Sequence, residues 1–292
     1  MPNASNDTTP SGASRRTLLA TLAAASAALA AGPAMAQSGT AAAAAAAAPS
    51  HRKVAIVTGS SRGIGAATAK RLARDGFAVT VNFVANRDLA AGVVREIEQA
   101  GGRAISIQAD VSDAAAVRRL FESTEQAFGG IDVVVSNAGI MRLASFAEMT
   151  DADFGRMVDV NQKGSFFVLR EAARRVRNGG RIVALSSSIT QLRSPTYGPY
   201  AATKGAQELF ANVLAKELEG RMVSVNAIAP GVVNTTLFTD GKTPQMIAGF
   251  AQRTPHKRLG EPADIADTIA LLCSPQGGWV NGQTVFANGG IV

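Results

Sequence analysis

The chain has 292 residues, 47% of them hydrophobic and only 17% charged, which is enough apolar material for one sizeable core. Its formal charge of +7 comes from lysines and arginines scattered without a long basic run, a pattern that argues against nucleic acid and for a basic surface around an anionic ligand. The single Cys273 excludes an intrachain disulfide framework, and two distant histidines, His51 and His256, offer no metal cluster.

The first fifty residues differ from the rest. Arg15 and Arg16 precede an apolar, alanine-rich stretch over 18–31, and Ala34-Met35-Ala36 then has the small-x-small pattern of a signal-peptidase site. This order predicts a twin-arginine export signal over 1–36 and a periplasmic protein; a start codon assigned too early, leaving the protein cytoplasmic, is the alternative. The stretch is too short and too rich in small residues for a stable membrane span, which needs about 20 strongly apolar residues. Residues 37–52 hold a run of eight alanines, have no large apolar side chain to bury, and read as a low-complexity spacer. One domain is expected over 53–292.

From Lys53 onward, short apolar runs alternate with segments of helical period. Strands are expected at 54–57, 78–81, 104–107, 131–135, 181–185 and 223–228. Between them Leu89, Val93 and Ile97, and then Val117, Leu120, Phe121 and Phe128, repeat at helical spacing. Such alternation predicts a single-domain α/β fold of Rossmann type, a doubly wound parallel sheet with right-handed crossovers and a ligand at the carboxyl ends of its strands.

Directly after the first strand comes Thr58-Gly59-Ser60-Ser61-Arg62-Gly63-Ile64-Gly65, with a helix expected from about Ala66. Glycines at 59, 63 and 65 permit a sharp turn and let backbone amides and a helix N-terminus approach a pyrophosphate. A tight turn without a ligand is the competing reading, disfavoured by the position between strand and helix. The end of the second strand reads Val81-Asn82-Phe83-Val84-Ala85-Asn86-Arg87, without the acidic residue that an NAD site uses to bond the ribose hydroxyl. Nothing there repels a 2′-phosphate, and Arg62 and Arg87 could pair with one, so NADP(H) is favoured over NAD(H) and Asn86 joins the expected cofactor wall. Arg87 also reads as a solvated residue at a helix start. Asp110 and Val111, past the third strand, could hold the adenine edge, while Asp110 could equally cap the next helix.

Tyr200 and Lys204 stand four apart, on one face of a helix. A phenol with a pKa near 10 is a poor acid or base at neutral pH unless a neighbouring cation stabilises its phenolate, and Lys204 is placed to do so. Leu185-Ser186-Ser187-Ser188 ends the fifth strand at the ligand edge, where a hydroxyl could donate to a reacting carbonyl oxygen.

Taken together, Thr58-Gly59-x-x-x-Gly63-x-Gly65, Ser136-Asn137-Ala138-Gly139, Asn161, Ser187, Tyr200, Lys204 and Pro230-Gly231 resemble the classical short-chain dehydrogenase/reductase family over about 53–292, with a flavour similar to 3-oxoacyl-carrier-protein reductases. The resemblance implies that Tyr200 protonates the carbonyl oxygen, Ser187 polarises it, Lys204 lowers the tyrosine pKa and holds the nicotinamide ribose, and Asn161 positions a relay water. It also implies that Asn137, Ala138 and Gly139 line the adenosine side, and that Pro230, Gly231, Val233 and Thr235 lie toward the nicotinamide carboxamide. Ser136 departs from the family's usual asparagine. Ser186 and Ser188 should face away from Ser187 on an extended strand end. The segment 237–258 resembles a lid over the substrate; its Met246, Ile247 and Phe250 could line a pocket or cover core. The residues from Val280 to Gly290 resemble a last strand and tail packed at a subunit interface, implying a homotetramer or homodimer. The expected activity is hydride transfer between nicotinamide and a ketone or secondary alcohol, the small-molecule substrate; a non-catalytic NADPH-binding sensor or scaffold is the alternative.

Overall fold

A computed structural model describes residues 52–292, so the predicted export signal and nearly all of the spacer lie outside the described residues. β1 (Val54–Val57) is buried at every position, as a strand covered on both faces must be. It lies inside a seven-stranded sheet, between β2 (Ala78–Phe83) and β4 (Ile131–Ser136), with β3 (Arg103–Gln108), β5 (Val176–Leu185), β6 (Ser224–Pro230) and β7 (Thr284–Ala287) completing it. The order is β3-β2-β1-β4-β5-β6-β7, and every neighbouring pair is parallel.

Side chains along these strands alternate between two apolar layers. Ala55, Val57, Val133, Val135 and Val183 meet α1 (Gly63–Arg74), α2 (Arg87–Gln99) and α10 (Pro262–Cys273) in one cluster. Ile56, Val134, Ile182 and Ala184 meet α3 (Ala114–Phe128), α5 (Gly164–Arg175) and α7 (Gly198–Glu217) in the other. The period-two register thus feeds both faces from one strand, and full burial of a side chain such as Phe121 contributes about 1.5–3 kcal/mol. Among the described residues no helix is long and apolar enough to cross a membrane.

Three details differ from the sequence reading. β5 starts at Val176, not at 181, because Asn178-Gly179-Gly180 bends the chain at a positive φ of Gly179 and shifts the pairing register with β4. Leu89 is 50% exposed; Ala90 takes the core position that Val93 and Ile97 continue. The segment 151–175 forms α4 (Asp151–Met157), a π-helical turn over Val158–Lys163, and α5, although its periodicity announced no helix.

The strand order reverses between β1 and β4, which opens a crevice at their carboxyl ends. The chain leaves that rim at Thr58 and Asn137, two residues tied directly together. Asn137 N donates to Thr58 Oγ1 at 3.0 Å, and Asn137 Nδ2 donates to Thr58 O at 2.8 Å.

Candidate active site

A cavity of about 500 Å³ runs along this rim, from the glycine loop to α7 and the segment after β6. At one end Gly59 and Gly63 adopt φ of +61° and +56°, which glycine alone tolerates cheaply. A Cβ on Gly65 would stand 2.5 Å from both Asn137 Nδ2 and Gly59 O, so the loop closes only with glycine there. α1 begins at Arg62 with no side chain capping its first amides and no acid in its first turn. Those free N–H groups and the positive end of the helix dipole face a cavity, which suits a pyrophosphate.

A polar clamp holds the loop from below. Buried Asn82 accepts from Gly59 N at 3.1 Å and donates to Ala109 O at 3.0 Å, while its backbone N–H donates to Ser60 Oγ at 3.0 Å. Val84, Ala85 and Asn86 continue the wall with no carboxylate. Asp110 accepts from Ser112 and pairs with Arg156 at 3.2 Å. Burial raises its pKa, and these hydrogen bonds and the arginine outweigh that to leave it below the ordinary value. The cap of α3 is Asp113, which accepts from Ala115 N at 2.8 Å, so Asp110 is left to the cavity wall.

The other end carries the titratable pair. α7 opens with Gly198-Pro199, the proline fitting its first turn, and presents Tyr200 and Lys204 to the cavity one turn apart. Burial pushes the Tyr200 phenol up to about 12, and a hydrogen bond with Ser187 pulls the other way. Burial also pushes Lys204 down to about 8. Lys204 Nζ donates to Leu185 O at 2.7 Å and stands 5.9 Å from the centre of the Tyr200 ring. The structure therefore qualifies one expectation: burial, not the ammonium, dominates the phenol's acidity.

Ser186, Ser187 and Ser188 all line the cavity, against the expectation that the outer two face away, but the hydroxyls of Ser186 and Ser188 are engaged by other partners. The Ser186 hydroxyl donates to Glu208 Oε1 at 2.6 Å, and that of Ser188 donates to Ala229 O at 3.0 Å. Asn161 does not line the cavity. It sits fully buried in the π-helical turn, where Oδ1 accepts from Ile140 N and Nδ2 donates to Ile140 O, each at 2.8 Å. This clamp holds the Asn137–Ile140 loop against the turn, and the Asn161 carbonyl accepts from Gln207 Nε2 at 3.1 Å.

A family model described as "Enoyl-(Acyl carrier protein) reductase" matches residues 59–292. An oxidoreductase of Methylorubrum extorquens is 43% identical over 82% of this chain and 97% of its own length. A chloroplastic NADPH-dependent aldehyde reductase-like protein of Arabidopsis thaliana is 40% identical, covering 84% and 96%. The crystal structure of a short chain dehydrogenase from Burkholderia cenocepacia in complex with NADP superposes with a TM-score of 0.77 at 37% identity, covering 82% of this chain and 97% of that one. The chain belongs to the short-chain dehydrogenase/reductase family.

In this short-chain dehydrogenase/reductase the cavity brings together every expected catalytic and cofactor-binding residue except Asn161 and Arg87. Arg87 stands outside the cavity lining: its guanidinium packs over Phe83 at 5.9 Å and reaches Gln108 Oε1 at 3.5 Å, because α2 starts at residue 87 and turns the side chain toward β3. Arg62 does line the cavity. Gly231 lines it too, and a Cβ there would stand 2.8 Å from Asn288 Cα, so this glycine also admits the C-terminal segment. Of Met246, Ile247 and Phe250, the cavity is lined by Phe250; Met246 is half exposed and α9 (Pro244–Arg253) buries none of its residues. Leu237 and Phe238 of α8 (Thr236–Thr239) join Phe250 instead. Sequence reasoning missed Asn82, Gln207, Tyr197 and Arg253. Asn82 was visible as a polar residue inside an apolar strand, and Gln207 as a polar residue on the Tyr200 side of α7.

Proposed function

We propose that the protein is an NADP(H)-dependent carbonyl reductase that also runs the reverse oxidation of secondary alcohols. The observation that carries this reading is the buried Tyr200 phenol, in one cavity with Ser187 and one turn from Lys204, at the end opposite an uncapped helix N-terminus behind a glycine loop. Arg62 faces the 2′-phosphate side, and the wall formed by Val84, Ala85 and Asn86 holds no carboxylate to repel it. The bound nicotinamide supplies or takes up the hydride.

The chain's own groups do the rest. Ser187 donates to the carbonyl oxygen and holds it against Tyr200, where negative charge develops. Tyr200, kept neutral by burial, delivers its proton to that oxygen. Lys204, fixed on Leu185 O, places a positive charge beside the phenolate that this leaves. Asn161 keeps the Ile140 backbone in place in the cavity wall.

A panel of ketones and aldehydes assayed with NADPH by nicotinamide absorbance tests the reading, together with Tyr200→Phe. Loss of turnover with NADPH binding retained supports it. Unchanged turnover in the variant defeats the mechanism and leaves a dinucleotide-binding sensor or scaffold.

Two further parts of the proposal concern the whole protein. Export through the leader makes it periplasmic, with the cofactor carried in the folded state; full-length protein confined to the cytosol after cell fractionation refutes this. Self-association, as a tetramer or dimer, is supported by exposed apolar residues on neighbouring helices, Phe166 on α5 with Leu209 and Val213 on α7. Light scattering on the purified chain tests it, and a monomeric mass would rule it out.

A further inference from the structure

We infer that the substrate end of the cavity holds a carboxylate subsite made by Arg253, and that the preferred substrate is an aromatic ketone bearing a carboxylate one ring away from its carbonyl. The inference rests on the reductase reading and specifies its substrate.

Beyond Tyr200 the wall is aromatic. The Tyr197 and Tyr200 rings lie 6.5 Å apart in a T-shaped pair, and Phe238 and Phe250 form a second T-shaped pair at 5.2 Å. All four residues line the cavity, so an aromatic body finds ring faces and edges in its wall. Arg253 lines the same space, with its guanidinium 5.7 Å from the centre of the Phe250 ring. Stacking of that kind orients the planar group and leaves its N–H fork free for a bidentate acceptor. Arg253 also acts on Tyr197: burial raises the Tyr197 pKa, and the positive charge of Arg253 opposes that rise. The cation therefore lies near the ring that adjoins Tyr200.

The charge balance of the cavity singles this arginine out. Among the described residues Asp110 is the only acidic one in the wall, and it already pairs with Arg156. Lys204 is committed to Leu185 O, and Arg62 belongs to the glycine loop. Arg253 has no carboxylate within 4 Å among the described residues. Its place in the last turn of α9 suits the helix dipole, but the dipole favours a cation anywhere on that turn and does not explain one in an aromatic wall. With its carbonyl at Ser187 and Tyr200, a substrate would pass one ring along Tyr197 and set its anion on Arg253.

The probes are 4-acetylbenzoate and its methyl ester, which share shape and differ in charge. The full chain should reduce the acid with kcat/KM about tenfold above the ester, a preference that shrinks as salt is raised. Arg253→Gln should remove it by raising KM for the acid about tenfold, with the ester unaffected, and Arg253→Glu should reverse it. An acid-to-ester ratio that is the same in the wild type and Arg253→Gln overturns the subsite while leaving the reductase reading intact. Calorimetric binding of the acid in the presence of NADP⁺ keeps the two readings apart. If neither compound turns over, the reductase reading loses support, yet acid binding that is lost in Arg253→Gln still upholds the subsite. Binding that is equal in both proteins, or undetectable in both, overturns it.

Discussion

Lys204 Nζ donates to the carbonyl of Leu185 at 2.7 Å, which fixes the ammonium between the end of β5 and the Tyr200 face of α7. The contact has two consequences. It holds a buried charge where a phenolate would form, and it supplies only one of the three acceptors an ammonium wants, so burial is free to lower its pKa to about 8. Tyr200 moves the other way, up to about 12.

These opposed shifts predict the pH profile of the proposed reaction. In ketone reduction Tyr200 must carry its proton, and it does so across the whole working range. Lys204 must be charged, and it loses its proton as pH rises through about 8. The reduction kcat/KM should therefore be flat from about pH 6 to 7 and fall about tenfold for each pH unit above 8. Alcohol oxidation, which needs Tyr200 to give up its proton first, should still be rising where reduction falls. A reduction rate that climbs through pH 8 would contradict the assignment of Lys204.

The buried ammonium costs stability. A lysine with its pKa lowered in the folded state penalises folding below about 8, and the penalty fades between about 8 and the unfolded value of 10.5. Lys204→Met removes the charge in about the same volume, so it should stabilise the fold by about 1–3 kcal/mol at pH 7 while abolishing turnover. Thermal melts at pH 7 and pH 10 should show the variant's advantage shrinking at the higher pH. A lower melting temperature at pH 7 would mean that the Leu185 hydrogen bond outweighs desolvation.

Much of this arrangement could be read from the residues alone, and the reason differs from part to part. The strands were legible because a parallel sheet buried on both faces needs continuous apolar runs such as Val54-Ala55-Ile56-Val57. The glycine loop was legible because positive φ at Gly59 and Gly63 leaves few residue choices. The turn around Asn161 was not, since a π-helical widening follows from tertiary contacts with Ile140 and Gln207 and leaves no periodic trace. The direction of Arg87 was not legible for a related reason: its place in the chain sets its distance from the strand but not the direction in which the first turn of α2 points it.

Cofactor choice should follow Arg62 rather than Arg87. Arg62→Ser should cut the preference for NADPH over NADH about tenfold or more, chiefly through KM for NADPH, because it removes a cation from a cavity edge that holds no other free one. Arg87→Ser, whose guanidinium lies on Phe83 and Gln108, should change that ratio less than about twofold. Equal effects of the two substitutions would show that the Arg87 side chain swings into the site when the dinucleotide binds.

Gln207 gives the sharpest test of the turn that carries Asn161. It is fully buried, its Nε2 donates to the Asn161 carbonyl at 3.1 Å, and its Oε1 has no partner. Gln207→Leu exchanges one hydrogen bond for relief of one unpartnered oxygen and should cost no more than about 1–2 kcal/mol, while kcat falls as the turn loosens. Gln207→Glu isolates the donor. Only the protonated acid can donate to the Asn161 carbonyl, so burial and that bond raise the glutamate pKa in the folded state above its unfolded value near 4.3. The variant's stability is then fully present below that unfolded value and lost as pH rises through the raised one. Its melting temperature should approach the wild type near pH 5 and drop well below it at pH 8. A gap that does not change with pH would show that the side chain has turned its carboxylate to water and that the Asn161 carbonyl does not depend on position 207.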